Sequence, residues 1–493
     1  MQIVTIIWFL IFAKLLLFWL WLWQLKEYRL DRFQAHFESQ GVRKIISSFW
    51  RLKYPKFTKK IILIFLTCLP AETLLLFYFS LPWVIFLTVL FIPLLILFFQ
   101  IPTFIWQRNI IKKATQKRAE FKNLLVIGIT GSYGKTSVKE FLTTILSSKF
   151  KVLSTPAHQN TDIAIAQLIL KKLTQDIEIF IVEMAAYKKG EISSPCQIVK
   201  PKIGILTAIN EQHLATYGSL ENIVRTKYEL IESLPEDGLA IFNGDNDHCC
   251  QLYKITQKKK RIYSIQSSIA SVPADLYIAS LAVNRSFLSF KIVDGKGESA
   301  VFKVNLLGDH NISNILAATC CAKELGLSLE EIASACQKIE SWQSGIQLKK
   351  GINNLNIIDA SYSANPDGVI SHLEYLKIWP GKKVIVMPCL IELGKASKKI
   401  HKEIGRKIGE VCDLCIITTR ERFQEIGKGA IEKGMKGKNI LFTDRPKEIF
   451  EKIKSFCQPA VETPPRSIGD AVLLEGRVPN QLISLLVISG QHV

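Results

Sequence analysis

No internal repeat, no low-complexity tract and no long linker interrupts these 493 residues. The whole length is therefore available for two or three domains, each with its own core. Acidic residues are in short supply, with 43 Asp/Glu against 63 Lys/Arg, a formal charge of +20. The eleven cysteines lack the arrangement of a disulfide framework. They are scattered, and Cys320, Cys321 and Cys336 lie in apolar runs of a part expected to be cytosolic. Cys412 and Cys415 form a CxxC inside VCDLCIITT, which reads as a buried strand, and the lack of a second ligand pair nearby argues against a metal site.

What the sequence has in excess is concentrated at its start. Residues 3–23, 61–80 and 83–106 are almost wholly apolar and aromatic, each long enough to cross a ~30 Å hydrocarbon layer as a helix. The first run lacks a small-residue cleavage site after it and is read as retained. Polar faces are missing all round, which disfavours buried helices of a soluble core. Residues 1–123 hold 17 Lys/Arg and only 5 Asp/Glu, most of the cations between Lys26 and Lys60 and between Arg108 and Lys122. Basic loops stay cytoplasmic, so the expectation is a multi-pass protein of the inner membrane with everything after Trp106 in the cytoplasm. The same cations would hold anionic lipid headgroups, and their place beside the apolar runs favours lipid over nucleic acid.

From Phe121 the pattern changes to short β-branched runs alternating with amphipathic stretches, the pattern of a parallel sheet with crossover helices. Strands are expected at 124–130, 177–184, 202–209 and 238–243, a β-rich stretch over 276–306, and a helix over 311–325. A second αβ series follows: NLNIIDA, KKVIVMP, DLCIITT, KNILFTD and DAVLLEG. The fold class is α/β. The expected divisions are a transmembrane module over 1–120, an ATP-binding central domain over 121–340 and a Rossmann-like C-terminal domain over 341–493.

The strongest local signal is TGSYGKTS, running Thr130, Gly131, Ser132, Tyr133, Gly134, Lys135, Thr136, Ser137. It stands between an expected strand and an expected helix. Glycines there let backbone N–H groups wrap phosphate, Lys135 reaches the terminal phosphates, and the Thr136 hydroxyl ligates Mg²⁺. The strict six-residue loop pattern is broken, because Ile129 occupies the first glycine position.

From about residue 124 to 476 the sequence resembles the Mur ligases, most closely their D-alanyl-D-alanine-adding type. The resemblance rests on an ordered series: TGSYGKTSVKE, VEM at 182–184 with GEI at 190–192, INEQHLATYGSLENIVRTKYEL, LLGDHNISNILAA, DASYSANPDG and IELG. It implies that ATP phosphorylates a carboxylate and that an amine attacks the acyl phosphate to form an amide, with Mg²⁺ as cofactor. It assigns Glu183 and His213 to the metal. Lys227 falls at the family's carbamylated lysine, a group that helps hold metal, and Asn243, His310, Asn311 and Asp359 fall at nucleotide-side positions. The partners implied are a muramoyl-peptide-type acceptor, a D-Ala-D-Ala or similar amine donor, and other cell-wall synthesis enzymes.

The resemblance breaks at several places. Ile346 stands where the family has an arginine on ATP, Ala360 where it has the second of two aspartates, and Glu475 where it has a lysine. Residues 1–120 leave no room for the family's UDP-binding domain. Two other readings follow: a Mur-like ligase acting on a lipid-linked acceptor, and a non-catalytic membrane scaffold that binds nucleotide.

Overall fold

The computed structural model describes residues 2–25, 54–78, 94–157, 159–269, 272–285, 287–362, 364–457 and 469–492. The chain divides into two compact units, Met1–Lys113 and Ala114–Val493.

The first unit corrects the membrane expectation. Its described residues form helices Gln2–Leu25 and Lys59–Tyr78 and the first part of Gln100–Ala119. Among them one helix, Leu94–Ala119, is long and apolar enough to cross a membrane. Three spans, and with them a multi-pass protein of the inner membrane, are not supported. Part of the apolar surface is used internally: Phe12, Leu16, Leu20, Trp23, Ile61, Ile64, Cys68 and Ile96 pack into one buried cluster, while side chains such as Ile7, Leu10, Leu63 and Phe104 remain exposed. The run at 83–106 begins in residues outside the described set. Its helix continues through the cationic stretch to Lys117 and Arg118, so apolar content alone misplaced its end.

The second unit opens with a nine-stranded sheet. Its strands are Leu125–Thr130 (β1), Val152–Ser154 (β2), Ile179–Glu183 (β3), Ile203–Leu206 (β4), Leu239–Asn243 (β5) and Lys259–Ser264 (β6). After a small hairpin, Ser268–Ile269 (β7) with Val272–Pro273 (β8), come Leu276–Val283 (β9), Leu288–Asp294 (β10) and Ser299–Val304 (β11). The order is β11-β10-β9-β6-β5-β4-β1-β3-β2. Strands β2 to β6 pair in parallel around β1, whereas β9 to β11 run antiparallel. The sequence accounts for the difference. LVIGIT in β1 is apolar almost throughout and buried on both faces, as parallel strands under helices are. LSFKIVD in β10 alternates buried and more exposed positions, as a sheet covered mainly on one face does.

A seven-stranded sheet follows, built from Gln347–Gly351 (β12), Asn356–Ala360 (β13), Lys383–Met387 (β14), Leu414–Ile417 (β15), Ile440–Phe442 (β16), Ala471–Glu475 (β17) and Val487–His492 (β18). Its order is β16-β15-β14-β17-β13-β12-β18, parallel from β16 to β13. Strands β13 to β17 fall on the five αβ runs expected from sequence. The two sheets carry separate apolar cores, one around Ile129, Phe141 and Ile315, the other around Ile358, Ile385 and Ile404.

Candidate active site

Strand β1 ends at Thr130 and the helix Lys135–Leu146 begins five residues later. The turn between them demands glycine at two points. Gly131 has φ of 154°, and a Cβ there would lie 2.1 Å from Thr207 Oγ1. Gly134, the N-cap, has φ of 79°, and a Cβ there would lie 2.5 Å from Asn314 Oδ1. The backbone can pass this close only without side chains. The result is a helix N-terminus with Lys135, Thr136 and Ser137 in its first turn, a ready site for anions.

The residues expected in this loop divide by what their side chains do. Thr130 is buried and its hydroxyl donates to the Met184 carbonyl at 3.0 Å, closing β1 onto the end of β3. The Ser132 hydroxyl accepts from Asn210 N–H at 3.1 Å. Tyr133 hydrogen-bonds Asp367, and burial, with that carboxylate, raises its phenol. The Lys135 ammonium donates to the Gly131 and Ser132 carbonyls at 2.8 and 3.0 Å. Burial lowers its pKa while Glu183 acts the other way. Thr136 Oγ1 donates to Glu183 Oε2 at 3.0 Å.

Glu183 ends β3, beside β1, at the carboxyl edge where open α/β sheets take ligands. Its other oxygen accepts from Asn160 Nδ2 at 3.0 Å. Thr136 and Glu183 thus offer adjoining hard oxygen donors. That set suits Mg²⁺, which is commonly held by one or two carboxylates together with substrate phosphates. Among the described residues no group of three or more His, Cys, Asp or Glu forms a metal cage. The fit to Mg²⁺ therefore depends on oxygens that a nucleotide would bring.

His213 and Lys227 approach the same place from the segment after β4. His213 takes φ of 65° before a short helix, and its Nδ1 meets Glu392 Oε2 at 2.5 Å. Tyr187 packs edge-on against the imidazole with ring centroids 4.7 Å apart. Burial pushes the His213 pKa down, Glu392 opposes, and Lys227 and Lys135 add to the lowering. With Nδ1 on Glu392, only Nε2 is left for a metal. Lys227 lies inside, 5.9 Å from the Tyr217 ring centroid. Burial first, then Lys135, lower its pKa to about 7 against the pull of Glu191 and Glu229. Glu229 is itself occupied, accepting from the N–H groups of Gly190, Ile192 and Ser193.

The nucleotide-side residues are less uniform. Asn243 donates to the Thr207 carbonyl at 2.7 Å, next to Gly131. His310 Nδ1 meets Ser371 Oγ at 2.8 Å across the domain seam, and its ring lies 5.1 Å from that of His372. Burial and His372 lower the His310 pKa to about 3. Asn311 is buried and donates to the Leu307 carbonyl at 2.8 Å, a local bond. Asp359 pairs with Lys349 at 2.6 Å and accepts from Ser361. Ile346 and Ala360 belong to the apolar core of the second sheet. Glu475 is buried, with one oxygen 2.6 Å from His372 Nδ1 and the other without a hydrogen-bond partner.

Four residues that matter here were not singled out from sequence. Glu392 lies inside IELG, where its motif was visible but its partner was not. Asp367, in NPDG, accepts from Asn210 at 2.6 Å. Asn160 carried no signal. Lys139 carried none either, since only the structure shows it among the buried residues of its helix.

Residues 129–322 match the Mur ligase middle domain and residues 346–477 the Mur ligase, glutamate ligase domain. A UDP-N-acetylmuramoyl-tripeptide–D-alanyl-D-alanine ligase of Bacillus subtilis is 27% identical over 336 residues, which cover 67% of this chain and 70% of the relative. The enzyme of the same name from Escherichia coli is 29% identical, over 57% of this chain and 61% of the relative. A MurF ligase of Thermotoga maritima, solved in complex with ADP, superposes with a TM-score of 0.63 at 26% identity, covering 77% of this chain and 83% of that one. A MurF of Acinetobacter baumannii has a TM-score of 0.67 over 77% of this chain and 80% of that one, at 23% identity, a likeness of fold.

Proposed function

The chain is an ATP-dependent ligase built from the middle and C-terminal domains of the Mur ligase family, and from that premise we propose that it makes an amide bond in peptidoglycan precursor synthesis. The acceptor is a muramoyl peptide with a free carboxylate, and the amine donor is D-alanyl-D-alanine or a close analogue. ATP is cleaved to ADP as the carboxylate becomes an acyl phosphate, and the amine displaces that phosphate. The domains assigned are 121–340 for nucleotide and 341–493 for completing the site.

The observation that carries this reading is the Thr136–Glu183 contact of 3.0 Å beside Lys135. It puts a cation, a hydroxyl and a carboxylate at one helix N-terminus. When bound there, Mg²⁺ offsets the charge of the transferring phosphoryl group. Thr136 and Glu183 would hold it, and His213 through Nε2 and Lys227 are the further residues assigned to it. Lys135, now bonded to Gly131 and Ser132 carbonyls, turns to the phosphate oxygens. Glu392 fixes the His213 ring from the C-terminal domain, so the site is complete only with both domains in place. Asn243, His310 and Asp359 are assigned to the nucleotide side.

The test is ADP release by purified protein with ATP, Mg²⁺, a UDP-linked muramoyl tripeptide and D-alanyl-D-alanine, scored with product mass. Release that needs both substrates and yields the ligated mass supports the reading. Nucleotide binding without turnover on any acceptor favours a second one, a nucleotide-binding scaffold. Its supporting observation is Ile346, fully buried in the apolar core where an arginine on ATP is the family pattern.

A further inference from the structure

Lys139 is a lysine with no exposed surface. Burying an ammonium is costly unless it is paired and hydrogen-bonded, and two of its three partners, the Thr155 carbonyl and Glu183 itself, bear on Glu183 while Glu140 pairs with it from the same helix. Lys139 Nζ donates to the Thr155 carbonyl at 2.7 Å. It pairs with Glu140 at 2.9 Å and stands 3.8 Å from Glu183 Oε2. Thr155 in turn accepts, through Oγ1, the Glu183 N–H at 3.0 Å. The residue that holds Lys139 thus also holds the Glu183 backbone.

Two ammonium groups therefore face this carboxylate: Lys139 from inside the helix and Lys135, whose charge acts on Glu183, from the loop. A bare divalent cation arriving at Glu183 meets a carboxylate already offset and two like charges close by. A cation arriving on a polyphosphate brings compensating negative charge, and Lys135 gains a partner in the same event. We propose that Lys139 is a positioning residue that offsets Glu183, so that the site takes a divalent cation together with nucleotide phosphates and not alone. This rests on the reading of Glu183 as a metal ligand. A purely structural role, tying the helix to the residue after β2, would affect folding stability and leave cation affinity unchanged.

The experiment is Mn²⁺ binding to the full chain, followed by electron paramagnetic resonance, with and without a non-hydrolysable ATP analogue. Wild type is expected to bind Mn²⁺ at this site only with the analogue. Lys139→Met, and Lys139→Gln as a second neutral variant, are expected to bind Mn²⁺ without nucleotide, roughly tenfold or more tighter than wild type. Lys139→Arg keeps the charge and is expected to keep the wild-type requirement. Equal nucleotide-free affinity in wild type and whichever neutral variant folds overturns the proposal, as does an arginine variant that behaves like the neutral ones. Glu183→Gln separates the premise: if it binds Mn²⁺ with the analogue as wild type does, the assignment of Glu183 itself is wrong.

Discussion

A single ammonium separates loop geometry from loop chemistry at Lys135. Its bonds run to two carbonyls of its own turn, while the turn's shape is set by Gly131 and Gly134. Lys135→Ala should therefore leave the fold intact and abolish ATP turnover. Phosphate release at the wild-type rate, with an unchanged circular dichroism spectrum, would remove this loop from the mechanism. Lys227 makes a prediction about pH. Its folded pKa is about 7, against an ordinary value of 10.5. Between those values the unfolded chain holds a proton that the folded chain does not, so stability rises with pH across the window. Below about 7 both states are protonated, and the cost of the buried charge is fully present. In bicarbonate-free buffer, Lys227→Met should lack that rise, so its melting temperature should exceed wild type most near pH 7 and converge towards it by about pH 10. Parallel curves across that range would sink the assignment.

At the scale of elements, the helix Pro366–Leu376 shows how little of a local sequence is ornamental. Asn365 caps it by accepting the Gly368 N–H, and Pro366 occupies its first turn. Asn365→Ala should cost about 1 kcal/mol in a denaturant titration, and a cost near zero would mean that the seam holds the helix end without its cap. The central parallel strands and their order of appearance were legible in the ligase region, because β-branched runs alternate there with amphipathic helices, whereas the strands Val152–Ser154, Lys259–Ser264, Gln347–Gly351 and Val487–His492 and the small hairpin at 268–273 were not among those expected. The loop, Glu183 and Asp359 were legible as motifs. Long-range partners were not. Nothing near residue 213 announces Glu392, 179 positions away, and a lysine at 139 reads as an ordinary helix residue until its burial is known. The opposite error came at the N-terminus. Apolar runs there were read one at a time, whereas Leu16 and Ile64 bury themselves in a shared cluster. Hydropathy records what a segment avoids and does not record what it finds.

For the whole molecule, the division after Lys113 makes a further prediction. Lys117 donates to the Leu170 carbonyl, and Arg118 donates to the carbonyls of Val199, Phe121 and Leu124, so a chain beginning at Ala114 keeps this anchorage. It should fold and bind nucleotide with the affinity of the full chain. A loss of more than about tenfold, read by fluorescence titration, would show that the first unit contributes to the nucleotide site.

The seam between the two ligase domains is bridged by paired side chains: Asn210 with Asp367, His213 with Glu392, His310 with Ser371, and Gln343 with Thr144. The two sheets keep distinct apolar clusters, with Leu307 of the central domain packing into that of the second sheet. Bonds of this kind exchange for water at small net cost, whereas a shared greasy core would not. Parting the seam would therefore exchange these polar pairs for water and uncover Leu307. On the proposed function, that parting is the route by which a substrate too large for the closed site would enter and leave.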